Sequence, residues 1–270
     1  MRLLFVTPAH LRYSLSAVVF AQRADTIASL AAAGIESQCV VIACDDNLDL
    51  ARSAGFAVVE RDNSHLGQRW NDGYEYAADH GYTHIAPIGS DSWVDHRYFL
   101  NPFPAGQILT SVHYALVNED GGRLAELAVE PAGGVGPHTF ATSLIAKAGN
   151  RPVEESLDRG CDHSLLTAIT AANGKAPTYA WRNLHPLQYI GFRSHDLQLN
   201  PYQPLRDRYS VHEHTDPWGA LAQHYPSWIV KLAQTHYESQ PPRRETAADR
   251  AYARAERRRL DREARTARVA

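Results

Sequence analysis

The sequence predicts an α/β fold: a mixed, mainly parallel sheet flanked by helices. Three observations lead there. Short apolar runs alternate with segments of helical spacing as far as Ser92; three of those helical segments stop at a glycine, Gly34, Gly55 and Gly81; and after Trp93 the pattern changes to closely spaced strands joined by a turn. The last thirty residues differ again, with ten arginines against five acidic residues.

Taken in order, Leu3 to Val6 is continuously apolar and bounded by Thr7 and Pro8, as in a strand buried on both faces that leads into a loop. Residues 16–33 are alanine-rich with Val19, Ile27 and Leu30 at helical spacing, and Gly34 takes the position of a C-terminal cap. The alternation repeats as a strand over 38–43, a helix over 48–54, a strand over 56–60, a helix over 67–80 and a strand over 84–88. Such units predict right-handed crossovers, a parallel sheet, and ligand binding beyond the carboxyl ends of the strands. Those ends carry Thr7-Pro8-Ala9-His10, Asp45-Asp46-Asn47, Arg61-Asp62-Asn63 and Gly89-Ser90-Asp91-Ser92. Further on, strands are expected over 107–117 and 124–129, a flexible loop over 133–137, helices over 142–148 and 162–172, and a strand over 178–181. A Tyr/His/Pro-rich stretch of irregular character follows.

At 270 residues, 44% hydrophobic and 21% charged, the chain can bury a substantial core. The opening apolar run is cut short by Thr7, Pro8, His10 and Arg12, too early for a signal peptide, and no run reaches the roughly 18–20 apolar residues of a membrane span. A cytoplasmic location is expected. Cys39, Cys44 and Cys161 lack CxxC spacing, which points away from a disulfide framework or a cysteine zinc site. The absence of GxGxxG after the first strand excludes a Rossmann dehydrogenase. Net charge is −3, with a basic tail on an acidic body. The tail interleaves acids at helical spacing, as a solvated helix or a disordered segment does.

Leu66-Gly67-Gln68-Arg69-Trp70-Asn71-Asp72-Gly73, followed by Tyr82 to Ser92 with Gly89-Ser90-Asp91-Ser92 at its end, resembles the core of GT-A-fold glycosyltransferases, family 2-like ones in particular. There a glycine-rich N-x-G helix precedes a strand ending in a DxD motif. The likeness covers residues 1–100 well and 130–195 more loosely. It implies a nucleotide-sugar-binding half over 1–100, an acceptor-side half of the same domain over 101–240, and a tail over 241–270. The implied partner is a UDP- or GDP-sugar, and the implied cofactor is Mn²⁺ or Mg²⁺. The departing diphosphate needs such positive charge, and carboxylates with histidine suit those ions.

Residue by residue, the resemblance implies donor contacts from Thr7 and Pro8 beside the base, Asp45 and Asp46 at base or ribose, Arg69 at the diphosphate, and Asn71 and Ser90 within the motifs. Asp91 is the implied metal carboxylate, with Gly89 standing where the family's first aspartate does. His185 is the implied loop histidine of the metal site, with His195, His212 and His214 as competitors. Leu157 to Leu165 resembles the acceptor-side segment whose acidic residue deprotonates the acceptor in inverting enzymes. Asp162 is the expected base and Asp158 the reserve. Trp93, Trp181 and Tyr189 are candidates to stack on a sugar or base.

Two readings of other classes stand beside this one. Sugar nucleotidyltransferases share the α/β chemistry, although Thr7 to Arg12 is not their glycine-rich basic loop. A non-catalytic carbohydrate- or nucleotide-binding module is suggested by Gly89. The acceptor is open, and the basic tail admits modified DNA without favouring it.

Overall fold

The apolar run at the N-terminus becomes β1 (Arg2–Pro8), in which Leu3, Leu4, Phe5 and Val6 have no exposed surface. Side chains alternate across it. Leu3 and Phe5 pack with α1 (Ser16–Ala32) and α2 (Asp46–Ser53), while Leu4 and Val6 pack with α3 (Leu66–Asp79). A strand apolar at every position is stable only between two helical layers, and β1 is duly central. Its neighbours β2 (Glu36–Ala43) and β4 (His84–Pro87) both run parallel to it, with β3 (Ala57–Glu60) beyond β2.

This computed structural model describes residues 1–9, 15–44, 46–101, 103–104, 106–128, 138–158, 160–182, 185–193 and 202–240. The loop expected over 133–137 and the tail over 241–270 lie outside them. Among them a seven-stranded sheet has the order β10-β6-β9-β4-β1-β2-β3, adding β6 (Gln107–Ser111), β9 (His138–Ala141) and β10 (Thr178–Arg182). Only β9 runs antiparallel to its neighbours, so the sheet is mixed and mainly parallel, as the sequence predicts. Its later strands, with α4 (Thr142–Lys147) and α5 (Cys161–Asn173), complete the sheet that the first half begins. Residues 1–239 form one compact unit.

The chain moves outward from β1 to β3 over one face, by way of α1 and α2. It then returns over the other face through α3 to β4, on the far side of β1. The crevice outside the carboxyl ends of β1 and β4 is therefore a topological switch point.

The N-x-G sequence in α3 has an architectural use. The amide of fully buried Asn71 donates to the Val153 carbonyl at 2.7 Å and accepts from the Val153 N–H at 3.0 Å. At Gly73 an added Cβ would stand 2.1 Å from Val6 Cγ1, so glycine is what lets α3 lie directly on β1.

A second, five-stranded sheet has the order β12-β8-β7-β11-β5, formed by β5 (Ser92–Val94), β7 (His113–Val117), β8 (Leu124–Ala128), β11 (Tyr189–Phe192) and β12 (Ser210–His214). The single strand expected over 107–117 is thus two strands in different sheets. The break falls at Val112, where the Ser111 hydroxyl accepts from the His113 N–H at 3.1 Å and donates to the His113 carbonyl at 3.2 Å, turning the chain. The stretch expected to be irregular beyond 181 also carries order: β11, β12, α6 (Tyr202–Tyr209), α7 (Pro217–Leu221) and α8 (Ser227–Ser239). Ile229, Val230, Ala233 and Tyr237 of α8 are buried in the same core as Trp93 and Phe192. No described helix is long and apolar enough to cross a membrane, and none of the three cysteines is in a disulfide.

Candidate functional site

Thr7, at the end of β1, and Ser90, in the loop after β4, are buried at the floor of the switch crevice. Pro8 ends β1 opposite Ile42. Behind them lies Arg23 of α1, fully buried. It donates from Nη1 to Thr7 Oγ1 at 3.2 Å and from Nη2 to the Ser92 carbonyl at 3.1 Å, and packs over the Phe5 ring at 5.0 Å. Burial lowers its pKa below the usual arginine value, with nearby Cys39 opposing. Arg23 is not among the residues expected at the site, yet the sequence holds its signal. It falls midway between Val19 and Ile27, on the apolar stripe of α1, where a cation must find buried partners.

Asp91 follows Ser90. Its Oδ1 accepts from the Ser92 hydroxyl at 2.9 Å and its Oδ2 lies 3.4 Å from Nη1 of Arg193, a residue the sequence did not single out. A Cβ at Gly89 would stand 2.6 Å from Asp91 Oδ1, so a side chain at 89 would turn the Asp91 carboxylate away from this position. Tyr189 is pushed up to about 12 by burial; the Ser92 hydrogen bond, Arg23 and Arg193 oppose the shift, and Asp91 adds to it.

Arg69, also buried, reaches the same edge from α3 and donates to the Ala9 carbonyl at 3.2 Å, just past Pro8. Asp46 is exposed at the first residue of α2, where a carboxylate favours the helix N-terminus; Asp45 lies outside the described residues. Asn71 spends its amide on Val153. The next residue, Asp72, is held by Arg61 through two bonds of 2.6 and 2.9 Å and by Arg151 at 3.0 Å.

In the segment expected to face the acceptor, Asp158 meets the start of α3: Oδ1 accepts from the Leu66 N–H at 3.3 Å and Oδ2 lies 3.4 Å from His65 Nδ1. Asp162 occupies the first turn of α5. Its carboxylate is exposed at the surface but recessed among protein atoms. The lost hydration raises its pKa above the usual carboxylate value, partly offset by its own backbone N–H. The buried Cys161 thiol is pushed up to about 11 by burial first, then by Asp162 and Asp158, with Arg69 opposing. Arg69, Asp158 and Asp162 therefore share one electrostatic neighbourhood.

His185 is not brought to Asp91. Strands β5 and β11 are antiparallel, so Asp91 lies beside Phe192, while Asp95 bonds to Gln188 at the other end of the pair, one turn after His185. Four residues of strand, ~13 Å, separate the two ends. His185 instead stacks on His224 at 4.4 Å and lines a cavity of about 510 Å³ with His212, His214 and Glu126. His195 lies outside the described residues, among which no group of three or more His, Cys, Asp or Glu is placed to hold a metal ion. Of the candidate stacking residues, Trp93 is fully buried, Tyr189 is half-buried and Trp181 is 44% exposed.

No protein-family model matches the chain, and no curated protein matches it in sequence. Among solved structures it is similar to the catalytic domain of Drosophila β1,4-galactosyltransferase 7 in complex with xylobiose, with a TM-score of 0.46 and 12% identity over 68% of this chain and 66% of that one. S. aureus TarS gives 0.46 and 11% over 72% and 35%. The inositol-1-phosphate CTP transferase of T. maritima gives 0.45 and 14% over 74% and 92%. The chain spans less than two thirds of the first two. Similarity this distant transfers no residue and no substrate.

Proposed function

We propose that this chain is a glycosyltransferase that moves a sugar from a nucleotide-sugar donor to a hydroxyl acceptor, with inversion, in the crevice between β1 and β4. The observation that carries the reading is the switch point itself: its floor is built from Thr7, Ser90 and Asp91, with the cations Arg23, Arg69 and Arg193 close by. The base of a UDP- or GDP-sugar would lie along the Thr7–Pro8 end of β1 towards Asp46, with the diphosphate towards the arginines. Asp162 would take the acceptor proton; its raised pKa suits a group that must accept a proton near neutral pH.

Mn²⁺ or Mg²⁺, which the sequence resemblance implies, does not fit the described residues. Gly89 offers no ligand, His185 is a strand length from Asp91, the Asp91 carboxylate accepts from the Ser92 hydroxyl with the Arg193 guanidinium 3.4 Å away, and no group of three or more His, Cys, Asp or Glu among the described residues is placed to hold a metal ion. None of the steps above runs through a metal.

The test is a thermal-shift series with UDP, GDP and CDP, followed by product analysis with the corresponding nucleotide sugars. A ligand at a hundred times its Kd stabilises a fold by about 2.7 kcal/mol. Release of nucleoside diphosphate and an inverted glycoside is expected. Formation of pyrophosphate from a nucleoside triphosphate would instead mark a nucleotidyltransferase, and a panel with no shift and no turnover would remove the proposal.

A further inference from the structure

Tyr189 feels Asp91, Arg23 and Arg193, and Tyr237, whose hydroxyl donates to the Arg193 carbonyl, feels Arg193 with Glu119, Asp91 and Asp120. Arg23 is fully buried, bonds the oxygens of Thr7 and Ser92, and interacts with the Cys39 thiol. Arg193 is 13% exposed. The chain holds it from both sides, because Phe192 N–H donates to the Asp91 carbonyl at 2.7 Å and Arg193 N–H to the Val117 carbonyl at 3.1 Å. Its guanidinium folds back over Gly191, where an added Cβ would lie 3.5 Å from Nη1 and 3.7 Å from Nη2.

Asp91 does not satisfy this guanidinium. Their one contact, at 3.4 Å, is well beyond the ~2.7–2.9 Å of a strong charge-assisted hydrogen bond. Arg193 Nε is buried and has no hydrogen-bond partner among the described residues. A largely buried guanidinium whose N–H groups are not all paired gains from an anion that reaches it. Arg193 lies beside Asp91 at the switch point, at the loop where the resemblance would put a metal.

We propose that Arg193, seated on Asp91, is the fixed cation that receives the diphosphate of the donor, so that this chain binds a nucleoside diphosphate without a divalent ion. Arg23 reinforces the field from behind. The inference rests on the glycosyl-transfer reading above. In that reaction the bond from the anomeric carbon to the diphosphate oxygen breaks and its electron pair leaves with the diphosphate. The acceptor oxygen bonds to the anomeric carbon, and its proton passes to the Asp162 carboxylate. Arg193 meets the negative charge gathering on the departing oxygen.

Calorimetric titration of the full chain with UDP and GDP, first in EDTA and then with Mn²⁺, tests this. Saturable binding of at least one nucleotide in EDTA is expected. Arg193→Gln should weaken it about 10- to 100-fold, the range for a hydrogen bond to a charged group, and Arg193→Lys should retain part of it. Asp91→Asn should still bind in EDTA, because the guanidinium and not the carboxylate receives the diphosphate; if Asp91 held a cation instead, that variant would lose the binding that Mn²⁺ supports. Wild-type binding that appears only with Mn²⁺, or equal affinity in both Arg193 variants, would overturn the proposal while sparing the glycosyl-transfer reading. Failure of either nucleotide to bind wild type in any buffer would remove both. Should Arg193→Gln not fold, the Lys and Asp91→Asn variants and the EDTA titration decide the matter.

Discussion

Asn71 and Val153 exchange two hydrogen bonds in the core, tying the middle of α3 to the segment that leads into α5. Since α3 contributes Arg69 and α5 contributes Asp162, this joint sets the spacing between the proposed donor and acceptor sides. Asn71→Ala strands the N–H and the carbonyl of Val153, each at about 1–3 kcal/mol. At about 2–4 °C per kcal/mol for a domain of this size, melting should fall by roughly 4–24 °C. Nucleotide affinity measured well below the melting point should barely change. A large loss of affinity with an unchanged melting temperature would mean that Asn71 acts on the donor itself.

A second joint forms at Asp72, which is 5% exposed and held by Arg61 and Arg151. Both arginines reach solvent and can rehydrate, so the loss is smaller than for a sealed ion pair. Asp72→Ala should cost about 1–3 kcal/mol, and Arg61→Ala alone should cost less. Equal melting temperatures for the two variants would show that Asp72 is not shared.

The first half of this fold was legible because its signals are local. An unbroken apolar strand, alanine-rich helices and glycine stops each specify their element without distant partners, and observed boundaries such as α1 at Ser16–Ala32 lie within a few residues of expectation. The second sheet was less so. Strand β12 reads Ser-Val-His-Glu-His, and its ladder partner β8 lies far off in sequence, so nothing local marks it. Helix α8 was legible and passed over: Ile229, Val230, Ala233 and Tyr237 recur at helical spacing. At the site, the strand-end loops could be read from order alone. The Asp91–Arg193 contact could not, because it depends on the antiparallel pairing of β5 with β11 across a hundred residues.

The tail over 241–270 is expected to be dispensable for folding. Pro241-Pro242 interrupts the chain, the segment beyond lacks an apolar stripe, and residues 1–239 already form a compact unit. A chain ending at Gln240 should unfold cooperatively at nearly the full-length temperature and bind the same nucleotide. A broad or absent unfolding transition would show that the tail contributes to the core.

Asp162 joins stability to catalysis through one carboxyl. Desolvation raises its pKa, so the folded protein favours the neutral acid. The resulting stabilisation is fully present below the unfolded carboxyl value of about 3.9 and is lost as pH rises through the folded value. Asp162→Asn, neutral at every pH, should therefore melt higher than wild type at pH 8, with the difference vanishing towards pH 4. As a general base Asp162 must be ionised, so the acid limb of kcat against pH should lie above the ordinary aspartate range. The same Asn variant should lose roughly 10²- to 10⁴-fold in kcat with donor affinity nearly intact. Asp158→Asn, which alters a contact at the start of α3, should cost at most about 1 kcal/mol and leave the limb in place. If Asp158→Asn alone abolishes turnover, the base is Asp158. If Asp162→Asn turns over normally, neither the trade-off nor the assignment stands, and a product of retained configuration would reject direct displacement itself.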